Sequence, residues 1–434
     1  MLASSAGAQM PVDSALATYI TSIRAVDAHA HPMRPVAPGA SADTEFDALP
    51  LDGIPAFPMP WRLTLDNPAW REAQRALYGL PNADSGAAFR EALRAGVARE
   101  RAAHGERFPE WVLDRAGIEV MLANRIAMGP GLAAPRFRWV PFADALMLPL
   151  DTRDEATRSP DTRSLYPKEA ALLRRYVREA GLTALPGTLD AYVRTVVTPT
   201  LEGQQRGGAV AVKFEAAYLR SLDFGTDDAA AAARVYARYV HGGAPTRAEY
   251  RTLEDHLFRV IAREAGRLGL GVQIHTLEGF GGFYASSGSA PHLLESAFTD
   301  STLRATTFVI VHGGWPRVDE TLSLLAKPNV YADISAMALY VPPSEIARVL
   351  RLWLGEWPDK VLFGTDAFDG GPEQGWAEVA YAGAMTARRA LGAALTGMMR
   401  DGEIDRARAE AIARMVMRGN ASAAYRLGLE PPRG

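Results

Sequence analysis

No cysteine occurs among the 434 residues, which excludes disulfides, thiol nucleophiles and thiolate metal ligands. Histidine and carboxylate are left as the side chains suited to hold a metal. Also missing is any run approaching the roughly 20 continuous apolar residues that span a bilayer, so no membrane partner is expected. Neither sign of charge dominates: 47 basic and 50 acidic residues are spread along the chain and give a formal net charge of −3. Without a basic stripe, nucleic acid is not an expected partner either. A small molecule is, and the composition is compatible with a homo-oligomer. The opening MLASSAGAQM lacks the charged and apolar regions of a signal peptide, although Ala6-Gly7-Ala8 resembles the end of a cleavage site. A cytoplasmic location is expected, with a trimmed exported precursor as the alternative.

What the chain does have is apolar surface to bury, at 48% hydrophobic residues. Eight short β-branched or apolar runs recur along it: Ile23–His31, Glu119–Met128, Phe137–Leu146, Ala209–Tyr218, Leu270–Glu278, Thr307–Trp315, Asn329–Ala336 and Lys360–Phe368. Several are apolar at nearly every position, as in FVIV before His312, which suits parallel strands covered on both faces. Helical spacing follows over Arg247–Leu268, Ala290–Leu303, Arg317–Leu325, Ser344–Leu354 and Glu373–Leu391. Strand alternating with helix predicts an α/β fold, a (β/α)8 TIM barrel, although an open doubly wound sheet has the same local pattern. We expect a single domain over 1–434. Helical insertions after strands 1 and 3, at about 32–117 and 147–208, are expected to cap the active site. A helical C-terminal extension from Gly392 is expected to pack outside the barrel.

The strongest local signal is Val26-Asp27-Ala28-His29-Ala30-His31-Pro32. Side chains on a strand alternate faces, so His29 and His31 point the same way and can share a metal. Alone, such a pair is as readily incidental. It gains weight from His275 late in the fifth run, His312 late in the sixth, Asp366 late in the eighth, and Lys213 in the middle of the fourth. In a barrel these positions converge on the C-terminal mouth of the strands, where barrel enzymes do their chemistry. Arg125, late in the second run, is suited to clamp a substrate carboxylate or to form a rim salt bridge. Glu215, Tyr218 and Arg34 are further candidates for substrate contact. His104, His241, His256 and His292 lie away from strand ends and read as ordinary surface residues.

Taken together, these residues resemble the ligand set of the amidohydrolase superfamily. The VDAHAHP opening, NVYADIS and KVLFGTD resemble the branch often called amidohydrolase 2, over Ile23 to about Phe368. The resemblance implies a metal-dependent hydrolase that uses metal-activated water to cleave an amide, lactone or ester bond of a small molecule. It implies zinc, one ion or two, with manganese or iron as substitutes. In the two-metal form His29 and His31 would bind one ion, and His275 and His312 the other. A carbamylated Lys213 would bridge them, and Asp366 would bind metal and accept a proton. In the one-metal form His29, His31, His275 and Asp366 would hold the ion and His312 would act as acid and base. Two alternatives stand beside hydrolysis: non-hydrolytic decarboxylation of an aromatic or unsaturated acid, which should bring an arginine onto the substrate, and an inactive barrel acting as a binding protein.

Overall fold

In a computed structural model, residues 12–429 are described apart from 37, 38, 40, 51–53, 55–59, 82–85, 278, 280, 283 and 372. Each of the eight apolar runs coincides with one strand shorter than the run, the second strand starting one residue before its run: β1 (Ala25–Ala30), β2 (Ile118–Asn124), β3 (Phe137–Val140), β4 (Ala211–Phe214), β5 (Gly271–His275), β6 (Phe308–Val311), β7 (Val330–Asp333) and β8 (Val361–Leu362). All neighbours pair in parallel, β1 to β3 in one sheet and β4 to β8 in another. Backbone bonds join the two sheets at both seams. Lys213 N donates to Pro141 O and Ala143 N to Lys213 O, while Ala28 N donates to Phe363 O and Asp366 N to His29 O. The strands therefore form a continuous parallel ring, an α/β arrangement.

Two buried clusters account for the all-apolar strands. Phe308 and Ile310 of β6 and Val212 and Phe214 of β4 face the surrounding helices. Val309, Val311, Val120, Leu122, Val140 and Leu362 form a separate cluster from the opposite faces of their strands, inside the ring. That inner cluster also contains Ala421, Ala424 and Tyr425. The segment expected to pack outside the barrel thus closes one end of it. Tyr425 Oη accepts from Gln273 Nε2 at 2.9 Å, and Asn420 Nδ2 donates to Val361 O at 2.8 Å.

Most expected helices form. The longest crossover, Arg247–Arg267, starts at a capping box in which Thr246 and Glu249 satisfy each other's backbone N–H groups. The expected helix over 290–303 instead breaks into three turns, Pro291–Leu294, Glu295–Thr299 and Ser301–Leu303. Asp300 leaves the helical region, and its carboxylate caps the last turn by accepting from Thr302 N at 2.8 Å. Between β1 and β2 lie helices Pro68–Tyr78, Ala87–His104 and Phe108–Ala116; between β3 and β4 the longest helix is Tyr166–Glu179. Among the described residues no helix is long and apolar enough to cross a membrane.

Arg125, at the end of β2, does not face the ring's mouth as a substrate clamp. Its guanidinium is fully buried, pairs with Asp43 at 2.9 Å, and donates to Pro32 O and Ala127 O. Arg34 converges on the same carboxylate, with Nε 3.0 Å from Asp43 Oδ1. The long β1–β2 connection is thereby tied to the end of β2. Removing one member of a buried pair leaves the other charge uncompensated. Arg125→Met should therefore cost about 3 kcal/mol of unfolding free energy in a urea titration; a loss below about 1 kcal/mol would contradict this reading.

Candidate metal centre

His29 ends β1 with its ring entirely buried. Gln273 of β5 fixes its tautomer. That amide donates to Ala28 O at 2.8 Å and to Tyr425 Oη, so its oxygen faces His29 Nδ1 at 3.0 Å and accepts the proton there. Asn124 Nδ2, itself a donor, lies against the same nitrogen at 2.9 Å, and Lys213 Nζ, a donor 3.2 Å from Nε2, supports leaving the proton on Nδ1. The lone pair is left on Nε2, which faces the mouth of the ring. His31 Nε2 stands 3.4 Å from it, Asp366 Oδ1 is 3.2 Å away, and His31 Nε2 to Asp366 Oδ1 is 3.7 Å.

Those three separations can be tested against a metal. A tetrahedral ion with arms of about 2.0–2.1 Å to nitrogen and oxygen has ligand-to-ligand edges of about 3.3–3.4 Å. The observed edges bracket that length. Two imidazole nitrogens and a carboxylate oxygen brought this close together are an arrangement a cation resolves. His275 brings a fourth buried nitrogen, Nε2, which has no hydrogen-bond partner. The donors present therefore fit a divalent ion held by His29, His31 and Asp366, whose ligand atoms lie within 4.8 Å of one another, with His275 Nε2 buried and unpartnered at the same mouth.

Protonation states agree with this. Burial, reinforced by the Lys213 ammonium, pushes His29 well below the usual imidazole range and His275 down to about 3. Burial likewise depresses His312 despite the nearby Asp366 carboxylate. All three rings are neutral at neutral pH, the form a metal requires.

His312 follows β6, and its ring lies 4.8 Å from His275 and 5.1 Å from His29, centroid to centroid. Its Nδ1 is 2.9 Å from Ser335 Oγ. Ser335 spends its one proton on Asp333 Oδ1, which also accepts from His312 N at 2.9 Å. His312 Nδ1 must then be the donor to Ser335, and its Nε2 carries the lone pair. Both His312 and Asp366 adopt left-handed backbone, with φ of 67° and 55°. Such conformations cost about 1–3 kcal/mol in non-glycine residues and concentrate at functional sites.

Lys213 rises from β4 with Nζ 3.2 Å from His29 Nε2 and 3.7 Å from Glu215 Oε1. Tyr218 packs its ring 4.8 Å from His275. Thus His29, His31, Lys213, Glu215, Tyr218, His275, His312 and Asp366 gather at one mouth, while Arg125 and Arg34 are turned to Asp43. Four neighbours were missed in the sequence. Asp47 Oδ2 lies 3.0 Å from His31 Nδ1, close but off the line of the N–H bond; it comes from the long β1–β2 connection. Gln273, Asp333 and Ser335 set tautomers, and the first of these is a polar residue inside a buried strand, a signal the sequence carried. Elsewhere, His104 pairs with Glu100 and stacks on Trp111, His256 pairs with Asp227, and His292 with Glu320.

A family model described as amidohydrolase matches residues 26–427. The chain belongs to the amidohydrolase family. A search among curated proteins found no match. Among solved structures, a provisionally named metal-dependent hydrolase from Lactobacillus casei aligns with a TM-score of 0.60 at 15% identity, over 96% of this chain and 99% of that one. Glucuronate isomerase from Caulobacter crescentus aligns with a TM-score of 0.56 at 12% identity, over 99% and 98%. Uronate isomerase from Thermotoga maritima aligns with a TM-score of 0.53 at 13% identity, over 95% and 98%. These likenesses establish the fold. The names of those structures cover both a hydrolase and isomerases, so the fold alone does not select the reaction.

Loss of a metal ligand weakens binding and misplaces the ion, so His29→Ala and His31→Ala should each lower bound metal and turnover together. His104→Ala, on the far side of the β1–β2 connection, should change neither. Elemental analysis of the purified variants checks this; a His31→Ala protein with full metal content would remove His31 from the site.

Proposed function

We propose that this amidohydrolase-family barrel is a metal-dependent hydrolase that cleaves an amide, lactone or ester bond of a small molecule, with zinc the ion best matched to three imidazoles and one carboxylate. The observation that carries the reading is the close approach of His29 Nε2, His31 Nε2 and Asp366 Oδ1, beside a neutral His312. The ion, when bound, lowers the pKa of water towards about 7 and polarises the bond under attack. His312 Nε2 accepts the proton released as the water oxygen bonds to the carbonyl carbon. It returns that proton to the leaving nitrogen or oxygen as the scissile bond breaks. Ser335 and Asp333 hold the imidazole in the tautomer this needs and stabilise the charged ring that forms. Tyr218 and the two long connections close the mouth around the substrate, within a single domain.

A single ion and an unmodified Lys213 are favoured over the carbamate bridge. A protonated Lys213 beside a divalent ion pays about 4 kcal/mol per unit-charge pair at roughly 4 Å and an effective dielectric of about 20. Glu215, whose Oε1 lies 3.7 Å away, would offset that when ionised beside the ammonium. A carbamate would instead add an anion beside Glu215, whose carboxyl burial and Asp47 already hold well above the usual range. Decarboxylation loses its expected mark, because Arg125 is spent on Asp43. Isomerisation, the activity named for two structural neighbours, rests on fold likeness alone.

Turnover of an amide, lactone and ester panel in 18O-labelled water should place one label in the product acid without releasing carbon dioxide. Carbon dioxide release, or conversion with no label incorporated, would overturn hydrolysis. Ser335→Ala should keep the metal and lower kcat by about 10- to 100-fold; equal loss of metal would make His312 a ligand instead. Lys213→Ala should not recover activity with added propionate, a stand-in for the carbamate; recovery would restore the two-metal form.

A further inference from the structure

The mouth of the barrel has a second half that the proposed hydrolysis leaves unused. Asp47, from the β1–β2 connection, and Glu215, following β4, offer oxygens within 4.8 Å of each other and of a His31 nitrogen. Asp144 supports Glu215 by accepting its backbone N–H at 2.8 Å through Oδ2, while Asp144 Oδ1 and Glu215 Oε2 are buried without a hydrogen bond. Glu169 arrives independently, from the helix Tyr166–Glu179. It is fully buried, neither of its oxygens has a hydrogen-bond partner, and the charges it feels are those of Asp144 and Asp47. The Lys213 ammonium bears on Asp47, Asp144 and Glu215, and His31 bears on Asp47 as well. Four carboxyl groups therefore gather near one ammonium. Burial and mutual repulsion hold Glu215 and Glu169 towards the neutral acid and Asp144 up at about 7, so a cationic guest would favour their ionised form.

We infer that Asp47, Glu215, Asp144 and Glu169 form a subsite for a positively charged group of the substrate, an alkylammonium or a guanidinium; this rests on the hydrolase reading for its neighbouring bond-breaking centre. Asp47 and Glu215 keep 15% and 7% of their side chains exposed, whereas Glu169 and Asp144 are fully buried. An organic cation fits better than a second metal. His31 turns Nε2 to His29 and Asp366, and its Nδ1, though 3.0 Å from Asp47, makes no hydrogen bond to it. The oxygens come from four separate elements, a spread that suits the N–H donors of an ammonium or guanidinium better than the tight shell of one ion. Lys213 already places an ammonium 3.7 Å from Glu215. Substrates of this class would be amides, lactones or esters bearing a basic group a few bonds from the scissile carbonyl.

Titration calorimetry on the zinc-loaded enzyme, with n-butylammonium chloride and with 1-butanol as the neutral counterpart, tests the subsite without any turnover. Butylammonium should bind at least about tenfold more tightly than the alcohol. Glu169→Gln and Glu215→Gln should each erase the preference while keeping the wild-type circular dichroism. Equal affinity for the two probes, or a preference that survives in both variants, would overturn the inference. So would uptake of an extra equivalent of manganese by the zinc-loaded wild type that Glu169→Gln abolishes, because the cluster would then be a metal site. A clear ammonium preference in a protein that hydrolyses none of the panel supports the subsite and removes only the hydrolase reading.

Discussion

The centre depends on one constraint: three ligand atoms, from the end of β1 and the segment after β8, are held 3.2–3.7 Å apart. Polar atoms buried this close together lose solvation, so the protein must hold them there by force of its surroundings. Asp366 N donates to His29 O across the ring's seam, locking the two ligand-bearing segments in register. Asp27, buried beneath them, accepts from Thr365 N at 2.9 Å and from Thr365 Oγ1 at 2.6 Å. Gly364 is what lets the strand end come this close, since a Cβ there would meet Ser335 Cβ at 2.9 Å. The positive φ at Asp366 is a further cost that this packing sustains.

Charge divides the mouth into two unlike halves. On the side of β5, β6 and β8 the imidazoles are buried and neutral, each tautomer assigned by a partner behind it: Gln273 for His29 and Ser335 with Asp333 for His312. Towards β3 and β4 the residues are carboxylates, with burial holding Asp144 near about 7 and Glu169 well above the usual range. Lys213 sits at the boundary, within reach of His29 on one side and Glu215 on the other. Whatever binds one half feels the charge state of the other through that side chain.

Much of this was legible in the sequence because barrel chemistry collects at strand ends. His29, His31, His275, His312 and Asp366 fall at the ends of apolar runs, and Lys213 and Glu215 share the spacing of one strand face, so local pattern alone nominated them. Residues that act from a distance left no such trace. Asp47 and Glu169 lie in long connections whose path over the mouth is a tertiary fact, with 16 and 44 residues separating them from His31 and Lys213 along the chain. Arg125 carried two readings from its strand-end position, and the salt bridge is the one formed, with Asp43, 82 positions earlier. The C-terminal segment was placed outside the barrel because nothing local distinguishes a helix that covers a barrel from one that plugs its end.

Crystals of the metal-loaded protein, measured on both sides of the zinc absorption edge, address the central arrangement most directly. The account predicts one anomalous peak within bonding distance of His29 Nε2, His31 Nε2, His275 Nε2 and Asp366, with His312 Nε2 outside that shell and no density beyond the Lys213 amine. A peak bound instead by Asp47 and Glu215, or two peaks bridged through Lys213, would contradict it.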